Sequence, residues 1–191
     1  MTALLRGKDV SGFPVVDVST GEDIAEVRDL IFDPSKGVVS GFTLGKRGLF
    51  GGRRREVLPI EAVRSVGTHA VMVESVEAIS DPADAPHEVM SSVERSADVT
   101  DDMVVTESGR QLGHVRDVVL SGGGTPRVVG FQIGGGPAGD GFVPIGTHTA
   151  VSASALIVPD GFENRVRTDL TELAGDLADL DTTKFEGGGS R

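Results

Sequence analysis

The amino-acid sequence predicts a mainly β protein with two small β-barrels in tandem and one C-terminal α-helix. Three observations support this fold class: an internal repeat, alternation of apolar and polar residues within each copy, and a leucine stripe at helical spacing near the C-terminal end. The chain has 191 residues, a length that suits one mid-sized domain or two small ones. We therefore expect two copies of one domain of about 75 residues each.

The internal repeat is visible when the two halves are aligned. Residues 21–32 read GEDIAEVRDLIF and residues 109–120 read GRQLGHVRDVVL, so Val27-Arg28-Asp29 recurs as Val115-Arg116-Asp117. Three further blocks recur in the same order: residues 39–45 with 128–134, 58–60 with 143–145, and 70–73 with 155–158. Matched blocks in one order indicate a duplicated domain.

Each copy is expected to consist of short strands joined by turns. Val129, Phe131 and Ile133 alternate with their neighbours at the period of a half-buried strand. Residues 24–32 would also suit a helix, but their counterpart contains Gly113 and several β-branched valines, which favour a strand. Short strands separated by turn signals predict a small barrel or sandwich, and a barrel leaves no strand edge unpaired.

Composition predicts the domain boundaries. Residues 74–102 carry nine acidic side chains against one basic side chain, Arg95, and the final residues are rich in glycine. A short helix suits residues 87–96. We expect four segments: a first barrel at 1–76, an acidic linker at 77–93, a second barrel at 94–163, and a C-terminal helix with a flexible tail at 164–191.

Composition also excludes several classes of function. Without cysteine there are no disulfides, thiolate metal sites or cysteine nucleophiles. The net charge of −11 argues against wrapping nucleic acid over the whole surface. Tryptophan and tyrosine, which dominate binding hot spots, are absent. We find no signal-peptide pattern, and the uncharged residues 141–159 contain too many polar groups and prolines for a membrane span, so we expect a cytoplasmic protein.

The order of these elements resembles the PRC-barrel family over residues 6–76 and 94–160. Each half has a turn glycine, an apolar strand that ends near an aspartate, a Gly-Phe strand and an apolar-Pro-apolar strand. The matching residues are Gly21, Val27-Arg28-Asp29, Gly41-Phe42 and Leu58-Pro59-Ile60, then Gly109, Val115-Arg116-Asp117, Gly130-Phe131 and Val143-Pro144-Ile145. Ala25 departs from the pattern, since the family usually has glycine there and the second copy has Gly113.

The resemblance implies a protein that is not an enzyme. The domains of the family include assembly modules of the photosynthetic reaction centre and of a ribosome-maturation factor, as well as stand-alone bacterial proteins. The resemblance carries over no catalytic, cofactor-binding or metal-binding residues, because the shared motif is structural. We expect a non-catalytic adaptor or scaffold that binds another protein. The alternative is an RNA- or ribosome-associated factor, and a small hydrolase or metal-dependent activity ranks lowest.

A basic loop is the first candidate for partner binding. It lies between the Phe42 strand and the Leu58 strand and combines five cations with an apolar pair: Lys46, Arg47, Leu49, Phe50, Arg53, Arg54 and Arg55. The corresponding residues 134–141 of the second copy contain no basic side chain. The loop either pairs with the acidic linker of its own chain or docks an acidic partner, RNA phosphates or an anionic membrane surface.

The leucine stripe is the second candidate. Leu170, Leu173, Leu177 and Leu180 share one face of the predicted helix, with Thr168 as a suitable N-cap. Four leucines are too few for an independent coiled coil, so packing against a barrel is the preferred interpretation. Self-association or partner binding through this stripe is the alternative.

Three other patterns are interpreted as structural. Gly134-x-Gly136-x-x-Gly139 matches a dinucleotide fingerprint, but Pro137 and a following strand leave no helix to hold a pyrophosphate. The four histidines lie in different segments, so no metal site is expected. Asp29 and Asp117 recur at the same place in both copies, which favours a structural hydrogen-bonding role over catalysis.

Overall fold

Both repeats fold into sheets of the same topology. The computed structural model describes residues 3–33, 38–45, 56–95, 99–145, 150–151 and 155–183. The chain begins with β1 (Leu4–Arg6) and the short helix α1 (Gly7–Val10). The first repeat continues with β2 (Pro14–Asp17), β3 (Asp23–Asp33), β4 (Val38–Gly45), β5 (Glu56–Pro59), β6 (Val63–Val66) and β7 (Val71–Val73). The second repeat contains β8 (Met103–Thr106), β9 (Gln111–Ser121), β10 (Arg127–Gly134), β11 (Gly141–Pro144), β12 (Ala150–Val151) and β13 (Ala155–Val158).

The strand order confirms the duplication. The first sheet has the order β5-β4-β3-β2-β7-β6, and the second has the order β11-β10-β9-β8-β13-β12. In each sheet one pair is parallel, β2 with β7 and β8 with β13, and the other pairs are antiparallel. The mainly β fold class and the order of the repeated blocks are therefore confirmed.

The Gly-Phe pair of each repeat has a packing reason. A Cβ atom on Gly41 would collide with the carbonyl oxygen of Leu58, and one on Gly130 would collide with that of Val143. Glycine is therefore required for the close approach of β4 to β5 and of β10 to β11. The phenylalanine that follows, Phe42 or Phe131, is fully buried.

The cores of the two repeats are continuous. One cluster of buried side chains includes residues from both sheets. At its centre, the ring of Phe32 in β3 meets the ring of Phe131 in β10 edge to face, with the centroids 6.2 Å apart. Such a pair contributes about 0.5–1.5 kcal/mol beyond the area that it buries. The repeats therefore pack as one unit.

The first segment of the chain joins the sheet of the second repeat. Strand β1 pairs antiparallel with β9, with Leu5 opposite Leu120. Helix α1 contacts both β3 and β9, and its Val10 is fully buried. The second repeat also contacts the first, since the amide of Gly123 donates a hydrogen bond to the carbonyl of Val66 at the end of β6. Main-chain hydrogen bonds therefore link the repeats at two separate places.

A helix follows each barrel and covers the same part of it. Helix α2 (His87–Arg95) forms where the short helix at 87–96 was predicted, begins within the predicted acidic linker, and buries Val89 against Ile31 and Val57. Helix α3 (Leu170–Thr183) buries Leu173 against Val119 and Phe142. Short 3₁₀ helices occur at Ile60–Ala62, Val76–Ala78 and Phe162–Arg165. Each of the two predicted helices therefore packs on one barrel.

The N-cap of α3 differs from the predicted one. The Oδ1 atom of Asp169 accepts hydrogen bonds from the amides of Thr171 and Glu172, at 2.8 and 2.9 Å. Thr168 instead donates its amide and its hydroxyl to the Glu172 carboxylate, each at 3.0 Å. Asp169 is the cap because its side chain reaches the second and third amides of the helix. The expectation for Thr168 was wrong by one residue.

Candidate functional site

The Val-Arg-Asp tripeptide forms a β-bulge in both repeats. In the first, Val27 lies opposite Leu44 and Asp29 opposite Thr43, so Arg28 has no partner position on β4. The pairing of β9 with β10 in the second repeat shifts register at the same place, which leaves Arg116 as the extra residue on β9. A bulge bends its strand and changes the direction of the side chains that follow it. The repeated motif therefore bends the same strand at the same place in each barrel.

The two bulges meet at the junction between the repeats, where they line a shared cavity of about 460 Å³. Residues 29–32 of β3 and 116–118 of β9 form its two long walls. Gly7 and Lys8 from α1 and residues 99–100 before β8 also line it. Cavities of a few hundred Å³ are typical of small-molecule sites. The sequence repeat thus contributes to one site from both of its copies.

Asp117 is a partly buried carboxylate that lines this cavity. Its Oδ1 atom accepts a hydrogen bond from the amide of Val118 at 2.8 Å, and its Oδ2 atom accepts one from the amide of Lys8 at 3.2 Å. Burial raises the pKa of Asp117 above its ordinary value, while these two amides and the Lys8 charge act in the opposite direction. A Cβ atom on Gly7 would lie 2.9 Å from Oδ1, so glycine allows α1 to approach the carboxylate.

Asp29 has a different environment from its counterpart. Its side chain is 72% exposed, and its Oδ2 atom lies 3.9 Å from Nε of Arg28. An exposed pair at this distance contributes little stability. The expectation of one structural role for both aspartates was therefore wrong for Asp29. The side chain of Asp117 bonds to the backbone of α1, whereas that of Asp29 is open to solvent beside the cavity.

The sequence reasoning missed the contribution of the N-terminal segment to this site. Gly7 and Lys8 precede the repeated blocks, and nothing in their local pattern indicates contact with residues of the second repeat. The amide of Lys8 nevertheless bonds to Asp117. The only available signal was the pair of identical Val-Arg-Asp tripeptides, which marks the bulges but does not place them together.

A family model for the PRC-barrel domain matches the chain twice, over residues 4–79 and residues 92–165. The chain belongs to the PRC-barrel family. Its two PRC-barrel domains are the two repeats, and both matches include the bulge motif and the Gly-Phe strand. The junction cavity therefore lies between two PRC-barrels of one chain. No curated protein matches the sequence.

The partner-binding residues predicted from the basic loop lie outside the described residues of the PRC-barrel protein. They are Lys46, Arg47, Leu49, Phe50, Arg53, Arg54 and Arg55. Partner binding by this loop therefore stays a prediction.

The predicted leucine stripe packs against the second PRC-barrel. Leu173 is buried, and Leu170 and Leu177 are partly buried in the same cluster as Phe142 and Val119. The barrel therefore covers these three leucines, as the preferred interpretation of the stripe expected, and the side chain of Leu180 lies outside the described part of the structure. Partner binding or self-association through these leucines stays a prediction.

The remaining sequence patterns do not line the junction cavity in the described part of the chain. Gly134 ends β10, Gly136 and Gly139 lie in the connection to β11, and a strand follows them. Nδ1 of His69 lies 2.8 Å from the hydroxyl of its neighbour Thr68. Within the described ranges, no three His, Asp or Glu side chains are grouped so that they could hold a metal ion. No helix in the described part of the chain is long and apolar enough to cross a membrane.

Proposed function

We propose that this PRC-barrel protein is a non-catalytic adaptor of the cytoplasm that mediates protein–protein assembly. The observation that carries the proposal is the joining of two barrels into one unit through a continuous core. A unit of this kind presents two related surfaces at a fixed distance and orientation. Fixed geometry lowers the entropic cost of holding two partners together, which is the physical requirement of a scaffold.

Differences between the two barrels support the binding of two different partners. Exposed large apolar side chains occur on the first barrel at Val18, Val38 and Val76 and on the second at Met103. Glu107 occupies the position of Val18 in the second barrel. The amides of Val18 and Glu107 make equivalent hydrogen bonds, to the carbonyls of Val73 and Val158 respectively. Equivalent backbones with different side chains favour unlike partners, because specificity depends on the side chains at the surface.

The alternative function is that of an RNA- or ribosome-associated factor. It is favoured by the five basic residues within the ten-residue stretch 46–55. Phosphate contacts made by such a loop would strengthen as the salt concentration falls. The net charge of −11 opposes contacts elsewhere on the surface, so this function would depend on the loop alone.

Affinity capture from native lysate distinguishes the two functions. The wild-type chain is compared with a variant in which Lys46, Arg47, Arg53, Arg54 and Arg55 are all changed to alanine. Each chain serves as the bait in lysate at low salt, with and without ribonuclease. The adaptor proposal predicts that captured proteins stay bound to the chain after ribonuclease treatment and bind it again once they are purified. Loss of every captured protein after ribonuclease supports the alternative, and capture no different from an empty resin contradicts both.

A control variant corrects for the change in net charge. Five arginines are exposed in the described structure and lie outside the basic loop: Arg28, Arg64, Arg110, Arg127 and Arg165. Their joint substitution by alanine removes five positive charges, as the loop variant does. Captured proteins that are lost with the loop variant but not with this control depend specifically on the loop. Equal losses would show that charge alone determines the capture.

A further inference from the structure

The junction cavity has an apolar side and a charged side. Leu30, Val99 and Val118 line it and belong to the common core or pack against it. Its charged lining residues are Asp117, the solvent-exposed Asp29, Lys8 and Arg116. A site of this kind suits a ligand with a short apolar body and one polar head.

Two arginines near Asp117 pair with carboxylates that do not line the cavity. Nη1 of Arg116 lies 2.6 Å from Oδ1 of Asp101. Arg6 forms two hydrogen bonds with Asp9, at 2.7 and 2.8 Å. The cation that remains beside Asp117 is Lys8, whose backbone amide donates a hydrogen bond to the carboxylate and whose side-chain charge also lowers the pKa of Asp117. No arginine on the cavity wall is therefore available to pair with the Asp117 carboxylate.

Asp117 retains capacity to accept further hydrogen bonds. An ionised carboxylate has about four acceptor positions, and the structure gives Asp117 one amide on each oxygen. A charged donor forms the stronger bond with an ionised carboxylate, and partial exclusion of water strengthens it further. The net charge of −11 also raises the local concentration of cations around the protein.

We propose that the junction cavity is a binding site for an alkylammonium group. The cationic head bonds to Asp117, with Asp29 adding negative charge at the opening, and the methylene chain packs against Leu30, Val99 and Val118. A free small amine or the lysine side chain of a peptide supplies the same chemistry. The site is independent of the adaptor proposal, since a free amine needs no partner protein.

The test uses the full chain labelled with ¹⁵N and titrated with butylammonium chloride at constant ionic strength. We expect saturable shifts of the amides of Lys8, Thr100 and Val118, which line the cavity. Butanol, the neutral probe of similar shape, should produce at least tenfold weaker binding. A second arm compares a blocked tripeptide that contains lysine with its norleucine analogue. Binding by the amine alone assigns a small-molecule site, and binding by the lysine peptide assigns a side-chain site.

Two substitutions of equal charge make the test specific. Asp117→Asn should weaken butylammonium binding at least tenfold, whereas Asp84→Asn, at an exposed acid outside the cavity, should change it less than twofold. Should Asp117→Asn fail to fold, Asp29→Asn and the blocking variant Thr100→Phe are measured instead, and each should weaken binding. The proposal is overturned when neither butylammonium nor the lysine peptide gives saturable shifts of the amides at the cavity. It is equally overturned when a folded cavity variant binds like Asp84→Asn.

Discussion

The rings of Phe32 and Phe131 lie edge to face across the junction, at an interplanar angle of 82°. Phe32 belongs to the first barrel and Phe131 to the second, and both are buried in one common cluster. The contact joins two domains that the sequence shows only as repeats. The two PRC-barrels are therefore expected to unfold together, since neither has a core that ends at the junction.

Replacement of Phe131 by alanine should destabilise the whole chain. The lost burial and the cavity left behind cost about 3–5 kcal/mol for a phenylalanine in a closed core. Urea unfolding at 25 °C, followed by circular dichroism, measures this free energy. Val18→Ala is the control, because Val18 is 39% exposed and should change the free energy of unfolding by less than about 0.5 kcal/mol. Equal effects of the two substitutions would contradict the common core.

Deletion of residues 1–10 should loosen the second barrel as well as the first. Strand β1 pairs with residues 119–121 of β9, and the amide of Gly122 donates to the carbonyl of Ala3 at 2.7 Å. Without the segment this edge of β9 is open to water. Hydrogen exchange measured by mass spectrometry should show lost protection at 118–122. Loss confined to the first barrel would contradict the observed strand pairing.

Helix α3 should depend on Leu173 more than on its other leucines. Leu173 is fully buried, and its Cδ2 atom lies close to the position that a Cβ on Gly130 would occupy. Leu173→Ala should cost about 2–5 kcal/mol, whereas Leu177→Ala, at a partly buried position, should cost less. Thermal melts of both variants give the order. A larger loss of stability for Leu177→Ala than for Leu173→Ala would contradict the orientation in which α3 packs on the barrel.

The stability of the first barrel should depend on the ionisation of Asp17. Hydrogen bonds from the Ser19 hydroxyl and from the amides of Ser19, Thr20 and Val76 lower the pKa of Asp17 below its ordinary value of 3.8. A lowered pKa in the folded state means that this stabilisation is complete above pH 3.8 and is lost as the pH falls further. The difference in Tm between wild type and Asp17→Asn should therefore shrink in acid.

The same measurement on the second repeat provides a comparison. There the position of Asp17 is taken by Thr106, and the carboxylate comes from Asp160, which accepts bonds from the amide and hydroxyl of Ser108. The pKa of Asp160 is also lowered, chiefly by the Ser108 hydroxyl. Asp160→Asn should repeat the acid-dependent behaviour, and Asp84→Asn should not. A Tm difference that grows as the pH falls would contradict the assignment for either aspartate.

Local sequence patterns were sufficient to predict the duplication and the strands of the repeated blocks. The paired Gly-Phe and Val-Arg-Asp motifs recur because each repeat needs the same close approach and the same bulge. The pairing of Leu5 with Leu120 had no such signal, since it joins residues far apart in the chain outside the repeated blocks. The junction cavity depends on that pairing. The environment of Asp117 therefore emerges only from the tertiary structure.

The central claim is that the two-barrel unit holds other proteins together without changing them. Sedimentation velocity of the purified chain, mixed with each pair of proteins recovered by affinity capture, tests it most directly. The account predicts a ternary complex at a fixed ratio, from which all components are recovered with unchanged masses. Two partners that exclude each other at every concentration, or a partner recovered with an altered mass, would contradict it.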